Sequence, residues 1–306
     1  MTDRAFAERY GPWAVVAGAT GGVGAAIATA LAARGVGVVA VARGADALER
    51  TARRLAGDHG VPVRTVAVDL ADRRAADRIL DEAAGLDVGT LVYATGSSLG
   101  EGRAWEQPAE HDRMLVERNC VTPLSLARGI APRLLARGRG AIVLLSSGAG
   151  LRGSPGVAVY SATKAFDIVL AECLWAELRP HGVDVLAPVL PFVDSESMRE
   201  LMVRRGLREA GDGAPLPGAL DVHLPVVRGD PDASTEAAHA VLVACRVRLE
   251  HEGRVGLPRR AVRRLDGAVV HAEDVVDQAV LDPPAQPGLV AAHASMVHPI
   301  PGQGKI

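Results

Sequence analysis

The sequence predicts an α/β protein, a doubly wound parallel sheet with helices on both faces and a helical, loop-rich C-terminal segment after it. Three observations predict it. Short apolar runs alternate with helical stretches from about residue 13 to residue 187, a spacing that lays strands side by side in parallel. Glycines cluster directly after the first of these runs. Polar residues with chemical potential recur just past the runs, where ligands bind in sheets of this kind.

Taken in order, Trp13–Ala17 is a short apolar run that stops at Gly18 and reads as a buried strand. The turn AGATGGVG follows, then AAIATALAARG, an alanine-rich helix expected to end at Gly35 with Arg34 in its last turn. Gly18, Gly22 and Gly24 allow a tight turn at positive φ and let a pyrophosphate approach the backbone at a helix N-terminus. Many strand-to-helix turns are glycine-rich. This one opens a strand–turn–helix–strand unit of the length a dinucleotide site uses. The second strand, residues 36–42, ends at Arg43 instead of at an acid. A carboxylate there would accept from a ribose 2′-hydroxyl and repel a 2′-phosphate. A guanidinium offers that phosphate a planar fork, although a solvated arginine at a strand end is the plainer alternative. The expected cofactor is NADP(H), with NAD(H) the poorer fit.

A helix over residues 45–58 leads to a third strand, residues 63–68, ending at Asp69. That carboxylate either meets an adenine edge or, like Asp72, caps the next helix. The fourth strand covers residues 90–94 and is broken by Gly96. A helical span over residues 108–136, a strand over 141–145, a helix over 159–179 and a strand over 183–187 complete the alternation. Between strand and helix lies SSGAGLRGSPGVAVYSATK, residues 146–164, which carries the chemistry. Tyr160 and Lys164 are four apart and share one helix face. A phenol normally keeps its proton until pH ~10, and a neighbouring ammonium favours the phenolate. Ser147, at the end of the preceding apolar run, can reach the same point and hydrogen-bond a substrate oxygen. Tyr and Lys at this spacing are also common on ordinary solvated helices. The convergence of Gly18, Asp69, Gly96, Ser147 and the residues after Ala187 at C-terminal strand ends favours a site.

Composition narrows the classes. The chain has 306 residues, 48% hydrophobic but only 3% aromatic, which suits close helix-on-sheet packing and argues against disorder. A net charge of −2 leaves no electrostatic footprint for nucleic acid or an acidic membrane. Cys120, Cys173 and Cys245 are far apart, without metal or disulfide spacing, and are expected as reduced, buried thiols. The nine histidines form no metal-ligand group, and His293 and His298 read as surface residues of a tail. No signal-peptide core opens the chain and no apolar run reaches the ~20 residues that cross a bilayer, so a cytoplasmic protein is expected.

Over roughly residues 12–200 the chain resembles the short-chain dehydrogenase/reductase family. The glycine turn is similar to that family's T-G-x-x-x-G-x-G, with Ala17 in place of the threonine. Asn119, Ser147, Tyr160 and Lys164 match its catalytic tetrad in order, with Ser147 thirteen residues before Tyr160. The resemblance implies a Rossmann-type fold in one domain: residues 12–200 well matched, a variable lid or insertion over 196–270, and a C-terminal helix and tail over 271–306. It implies that Tyr160 passes a proton to or from a substrate oxygen and that Lys164 holds the nicotinamide ribose and assists Tyr160. Ser147 would polarise the carbonyl, and Asn119 would support a water relay. Cofactor contacts are implied for Gly18, Thr20, Gly21, Gly22, Val23, Gly24, Arg43, Asp69, Gly96, Tyr160, Lys164, Val193 and Ser195. No metal is implied. The implied activity is an NADPH-dependent carbonyl reductase acting on a small-molecule carbonyl or alcohol, as a homodimer or a tetramer built from it.

Three departures from the family stand out. Tyr93-Ala94-Thr95-Gly96 replaces N-N-A-G, so only Gly96 carries over. Leu190-Pro191 stands where P-G is usual, and Pro191 brings no N–H to the nicotinamide rim. The last hundred residues or so fit poorly. They read as a polar lid helix over 196–210, a Gly/Pro-rich loop, a helix capped by Ser234, a basic cluster from Arg254 to Arg264, a short helix over 272–281 and an edge strand at 289–291. Two alternatives remain beside the reductase: a non-redox enzyme on the same frame (cyclase, epimerase or dehydratase), and a cofactor-sensing binding protein.

Overall fold

Valine and alanine runs build the inner strands, and where both faces of the sheet are covered the runs are apolar almost without a break. The computed structural model describes residues 3–96, 102–153, 155–190, 193–194, 199, 202–203, 209 and 220–221. All lie in the first of two units, Met1–Ala272; the second, Glu273–Ile306, falls outside the described residues. Six strands form the main sheet: β1 (Trp13–Ala17), β2 (Gly37–Ala42), β3 (Val63–Ala67), β4 (Val88–Tyr93), β5 (Gly140–Leu144) and a last strand, β7 (Val183–Leu186). Their spatial order is β3-β2-β1-β4-β5-β7, and every pairing is parallel. The winding reverses between β1 and β4, which opens a crevice at their C-terminal ends.

Successive side chains go to opposite faces. Val15, Val39, Leu91 and Ile142 face α4 (Ala75–Glu82), α6 (Thr122–Arg137) and α7 (Ala158–Leu178), packing with Ile79, Leu126, Ile130 and Ala171. Val16, Val38, Val92 and Val143 face α1 (Asp3–Tyr10), α2 (Gly22–Ala32) and α3 (Ala45–His59), packing with Phe6, Ile27, Leu31, Leu48 and Leu55. This is the doubly wound architecture that the alternation predicts.

Three features differ from the sequence reading. Helix α1 was not expected. Its Phe6 and Tyr10 share a face and are buried, and the Tyr10 hydroxyl donates to Asp184 Oδ2 at 2.8 Å while Arg9 pairs with the same oxygen at 2.9 Å. Helix α2 ends at Ala32, so Arg34 lies past it with its guanidinium over the Phe6 ring, 4.5 Å from the centroid. The span over 108–136 is not one α-helix: α5 (Ala109–Val116) passes through a π turn, Glu117–Val121, into α6.

Beyond β7, the short strand β8 (Val189–Leu190) pairs with β6 (Ser146–Ser147), and β9 (Val193–Asp194) pairs with β10 (Leu220–Asp221). Pro191, Ser195, nearly all of the lid helix, the Ser234 helix with Cys245, the arginine cluster, the 272–281 helix, the 289–291 strand, His293 and His298 lie outside the described residues. Among the described residues, no helix is long and apolar enough to cross a membrane.

Candidate active site

At the crevice, Gly18 turns the chain off β1 at φ +87°, its N–H donating to Val41 O at 2.9 Å. A side chain there would meet Ala94 O at 2.9 Å. Gly24 lies buried in the first turns of α2, and a Cβ on it would collide with the Gly18 carbonyl, whose carbon would be 2.8 Å away. The two glycines thus bring strand end, helix start and the chain after β4 into one close junction. Gly21 is the N-cap of α2 and supplies no side-chain cap, and Gly22 follows at φ +50°. The first amides of α2 are therefore left for a ligand, and a helix N-terminus favours an anion. Thr20 and Val23 are half-buried beside this turn, Gly96 has open space at its Cα, and Thr95 Oγ1 is buried with no protein partner. Glycines at the turn, uncapped amides and an unpartnered hydroxyl are what a dinucleotide pyrophosphate needs, so the residues present fit the group.

Arg43 is exposed past the end of β2. Asp69, past the end of β3, accepts through Oδ1 from the Ala71 amide at 3.0 Å and from Arg118 at 3.3 Å. Partial burial raises its pKa, but the Ala71 amide, Arg118 and Arg43 outweigh it and hold the carboxyl below its usual range. Neither acid caps the helix after β3. Asp69 and Asp72 bind amides of the preceding turn, Ala71 and Arg74, and the N-cap of α4 is Arg74.

The second half of the site is the corner from β5 to α7. Lys164 Nζ donates to Leu145 O at 2.7 Å, and Ser146 Oγ donates to Lys164 O at 2.7 Å, so α7 is fastened to the strand end through one residue's side chain and backbone. Ser147 pairs with Leu190 across β6 and β8, and its Oγ accepts from the Ala149 amide at 3.3 Å. Tyr160 is half-buried near the start of α7. Asn119 sits in the π turn, a device that recurs at functional sites. It is 1% exposed; its Nδ2 donates to Thr163 Oγ1 at 2.9 Å, and Thr163 Oγ1 donates to Tyr160 O at 2.8 Å. Asn119 Oδ1 is buried with no protein partner. The fold therefore links Asn119, Tyr160 and Lys164 around one turn of α7, with Ser147 on the adjoining strand.

Sequence reasoning passed over three residues here. Lys164 forms an ion pair with Asp167 Oδ2 at 2.9 Å, side chains 3% and 1% exposed. With Leu145 O, this occupies two of the ammonium's three N–H groups. Thr163 bridges Asn119 to Tyr160, and Arg118 is a buried guanidinium reaching Asp69. The available signal was an acid inside the apolar run AFDIVLA, because a buried charge requires a partner. Tyr93, in the departed motif, is buried and donates to Arg118 O at 2.5 Å, bracing the π turn; burial and then Asp167 push its phenol well up. Burial and Asp167 also push the half-buried Cys120 thiol up to about 11. Cys173 is exposed, against the expectation of a buried thiol. Among the described residues, no group of three or more His, Cys, Asp or Glu side chains is placed to hold a metal ion.

A glycine turn at the reversal of a parallel sheet, beside a helix that carries a tyrosine and a lysine one turn apart, defines a Rossmann-type nucleotide-binding fold. The family model for short chain dehydrogenase matches residues 12–205, and the chain belongs to that family. It is 33% identical over 185 residues to the very-long-chain 3-oxoacyl-CoA reductase of Bos taurus, covering 60% of this chain and 59% of that one. The Homo sapiens protein of the same name is 34% identical over the same shares. The chain thus matches about three fifths of the length of these relatives. Among solved structures, the L-sorbose reductase from Gluconobacter frateurii complexed with NADPH and L-sorbose is similar at 27% identity and TM-score 0.61, over 67% of this chain and 78% of that one. A short-chain dehydrogenase from Sphingobium yanoikuyae in complex with NADPH is similar at 32% identity and TM-score 0.59, over 69% and 79%.

Proposed function

We propose that the protein is an NADP(H)-dependent carbonyl reductase, with Tyr160 as its acid and base. The observation that carries this reading is the placement of Asn119, Tyr160 and Lys164 about one turn of α7, where Asn119 bonds Thr163, Thr163 bonds the Tyr160 carbonyl, and Lys164 bonds the end of β5. The bound nicotinamide supplies or accepts the hydride at the carbonyl carbon. Tyr160 gives its proton to the carbonyl oxygen in reduction and takes one from the alcohol in oxidation. The Lys164 charge stabilises the phenolate left behind, and its third N–H serves the ribose hydroxyls. Ser147 Oγ donates to the substrate oxygen, and Asn119 Oδ1 holds a water that returns a proton from solvent.

The uncapped start of α2 takes the pyrophosphate, Asp69 offers its second oxygen to the adenine edge, and Arg43 takes the 2′-phosphate. Val193 and Ser195 stand for the nicotinamide contacts. Names of the relatives support this direction: one is a 3-oxoacyl-CoA reductase and another an L-sorbose reductase complexed with NADPH. Exposed Val116, Val121 and Val169, on α5, the π turn and α7, support a homodimer through these helices, read by light scattering; a monomer at all concentrations would refute it.

The test follows NADPH absorbance against a panel of ketones, ketoacyl thioesters and ketoses. Tyr160→Phe should bind NADPH and lose turnover, whereas full activity would remove Tyr160 from the chemistry. Arg43→Asp should reverse a preference for NADPH over NADH; an unchanged ratio would remove Arg43 from cofactor choice.

A further inference from the structure

Lys164 is not a free ammonium facing Tyr160. It lies in a buried corner, donating to Leu145 O at 2.7 Å and to Asp167 Oδ2 at 2.9 Å, and Asp167 is itself 1% exposed. The hydrogen bond to Leu145 O already orients the side chain. A second neutral acceptor, such as a backbone carbonyl or an amide, would orient it equally well without bringing a second charge out of water. What a carboxylate adds is its charge. An anion beside the ammonium cancels part of the field that the ammonium exerts one helical turn away, where Tyr160 stands.

We propose that Asp167 is a positioning residue of the proton-transfer site, acting through Lys164 to set how strongly that lysine's charge favours the Tyr160 phenolate. The inference rests on the reductase reading and deepens it. The titratable groups in electrostatic contact with Asp167 are Lys164 on its own helix, Tyr93 on β4 and Cys120 in the π turn. Arg118 and Asp69, the other charged groups beside Tyr93, pair with each other. Tyr93 and Cys120 are both pushed up, chiefly by burial, and remain protonated at neutral pH, so Lys164 is the charge that Asp167 balances. Asp167 Oδ1 is buried without a protein partner, so this carboxylate is held by its pairing with Lys164 and not by a wider set of hydrogen bonds.

The experiment reads phenolate absorbance against pH in protein free of nucleotide. The chain has three tyrosines, and burial pushes up both Tyr10 and Tyr93. The step that Tyr160→Phe removes is assigned to Tyr160. Asp167→Asn keeps an acceptor for Lys164 and deletes the charge. It should move that step to lower pH by about one unit, and in turnover assays the protonation limb should move in the same direction. In a Lys164→Met background burial is no longer opposed by the ammonium and keeps Asp167 protonated and uncharged, so the same substitution should leave the step in place. A step that stays where it is in Asp167→Asn, or that shifts equally in the Lys164→Met background, overturns the proposal. Should Asp167→Asn fail to fold, Asp167→Val offers no acceptor and no charge and is held to the same outcome. NADPH titration of the wild type is scored separately. Absence of binding there refutes the reductase reading while the phenolate comparison still decides what Asp167 does to Tyr160.

Discussion

Substituting alanine at Gly24 and at Gly21 separates what the glycine turn does for the fold from what it does for the cofactor. At Gly24 a Cβ would stand 2.8 Å from the Gly18 carbonyl carbon and 3.1 Å from the Ala94 Cβ, in a buried junction of β1, α2 and the chain after β4. The first obstacle is backbone, so no side chain can swing aside. The helix must move off the strand by several tenths of an ångström or more. Overpacking of this kind costs about 1–3 kcal/mol or more, against which alanine returns up to about 1 kcal/mol of helix propensity. A net loss of about 2 kcal/mol lowers the melting temperature by about 4–8 °C in a domain of this size. A Cβ on Gly21 would have no atom within 4 Å, and the φ of −156° there is extended backbone open to any residue. Alanine at that position changes stability by no more than about 0.5 kcal/mol. With the pyrophosphate seated on the first amides of α2 as proposed, a methyl group at the N-cap should crowd it, and NADPH affinity should fall about tenfold, about 1.4 kcal/mol. Thermal melts and NADPH fluorescence titration on both variants make the assay. A Gly24→Ala protein that melts with the wild type would refute the close junction. A Gly21→Ala protein with unchanged affinity would refute placement of the phosphates at the start of α2.

Three further outcomes follow from the site. With its thiol pushed up to about 11, Cys120 is about one thousandth ionised at pH 8, so a thiol reagent followed by peptide mass spectrometry should modify exposed Cys173 and spare Cys120; labelling of Cys120 at a matching rate would refute its placement. Thr163→Val leaves Asn119 Nδ2 buried without its acceptor and should cost about 1–3 kcal/mol with a loss of turnover; an unchanged melt would refute the network. Asp69 is lowered in the folded state, so its contribution is present above its ordinary value of 3.8 and is lost as pH falls through the folded value. Asp69→Asn should differ from wild type by under about 1 kcal/mol at pH 7, since the pair is partly solvated, and the difference should vanish in acid melts.

How much of this was legible in the sequence depends on where the cause of each feature lies. Strands buried on both faces must be apolar at every position, so VVA, VVAVA and AIVLL announced themselves and their parallel pairing followed from the alternation. Helix α1 did not, because DRAFAERY is mostly polar and its Tyr10 is held by Asp184, a residue some 170 positions away. The π turn did not either: it needs one extra residue per turn, which leaves the composition of residues 117–121 like any helix. Asn119 was found through family resemblance, whereas the turn that aims it was not.

The spacing of Tyr160 and Lys164 is met by any helix, so it cannot say why this helix carries a site. The reason lies at the β5 corner. Leu145 O receives the lysine's side chain and Ser146 Oγ donates to the lysine's own carbonyl, both from residues 18 or 19 positions earlier. Sliding α7 by one residue would turn Lys164 by about 100° and break both bonds at once. The register of the face that carries Tyr160 and Lys164 is therefore set by the strand end and not by the helix. Ser147, prominent in the sequence for its chemistry, stands beside Ser146, whose hydroxyl is 2.7 Å from the backbone that chemistry depends on. Asp167 follows from the same register: three residues beyond Lys164, it reaches the ammonium only because the corner has already turned that side chain inward. Its charge was visible in the sequence, but its partner could be named only once the direction of Lys164 was known.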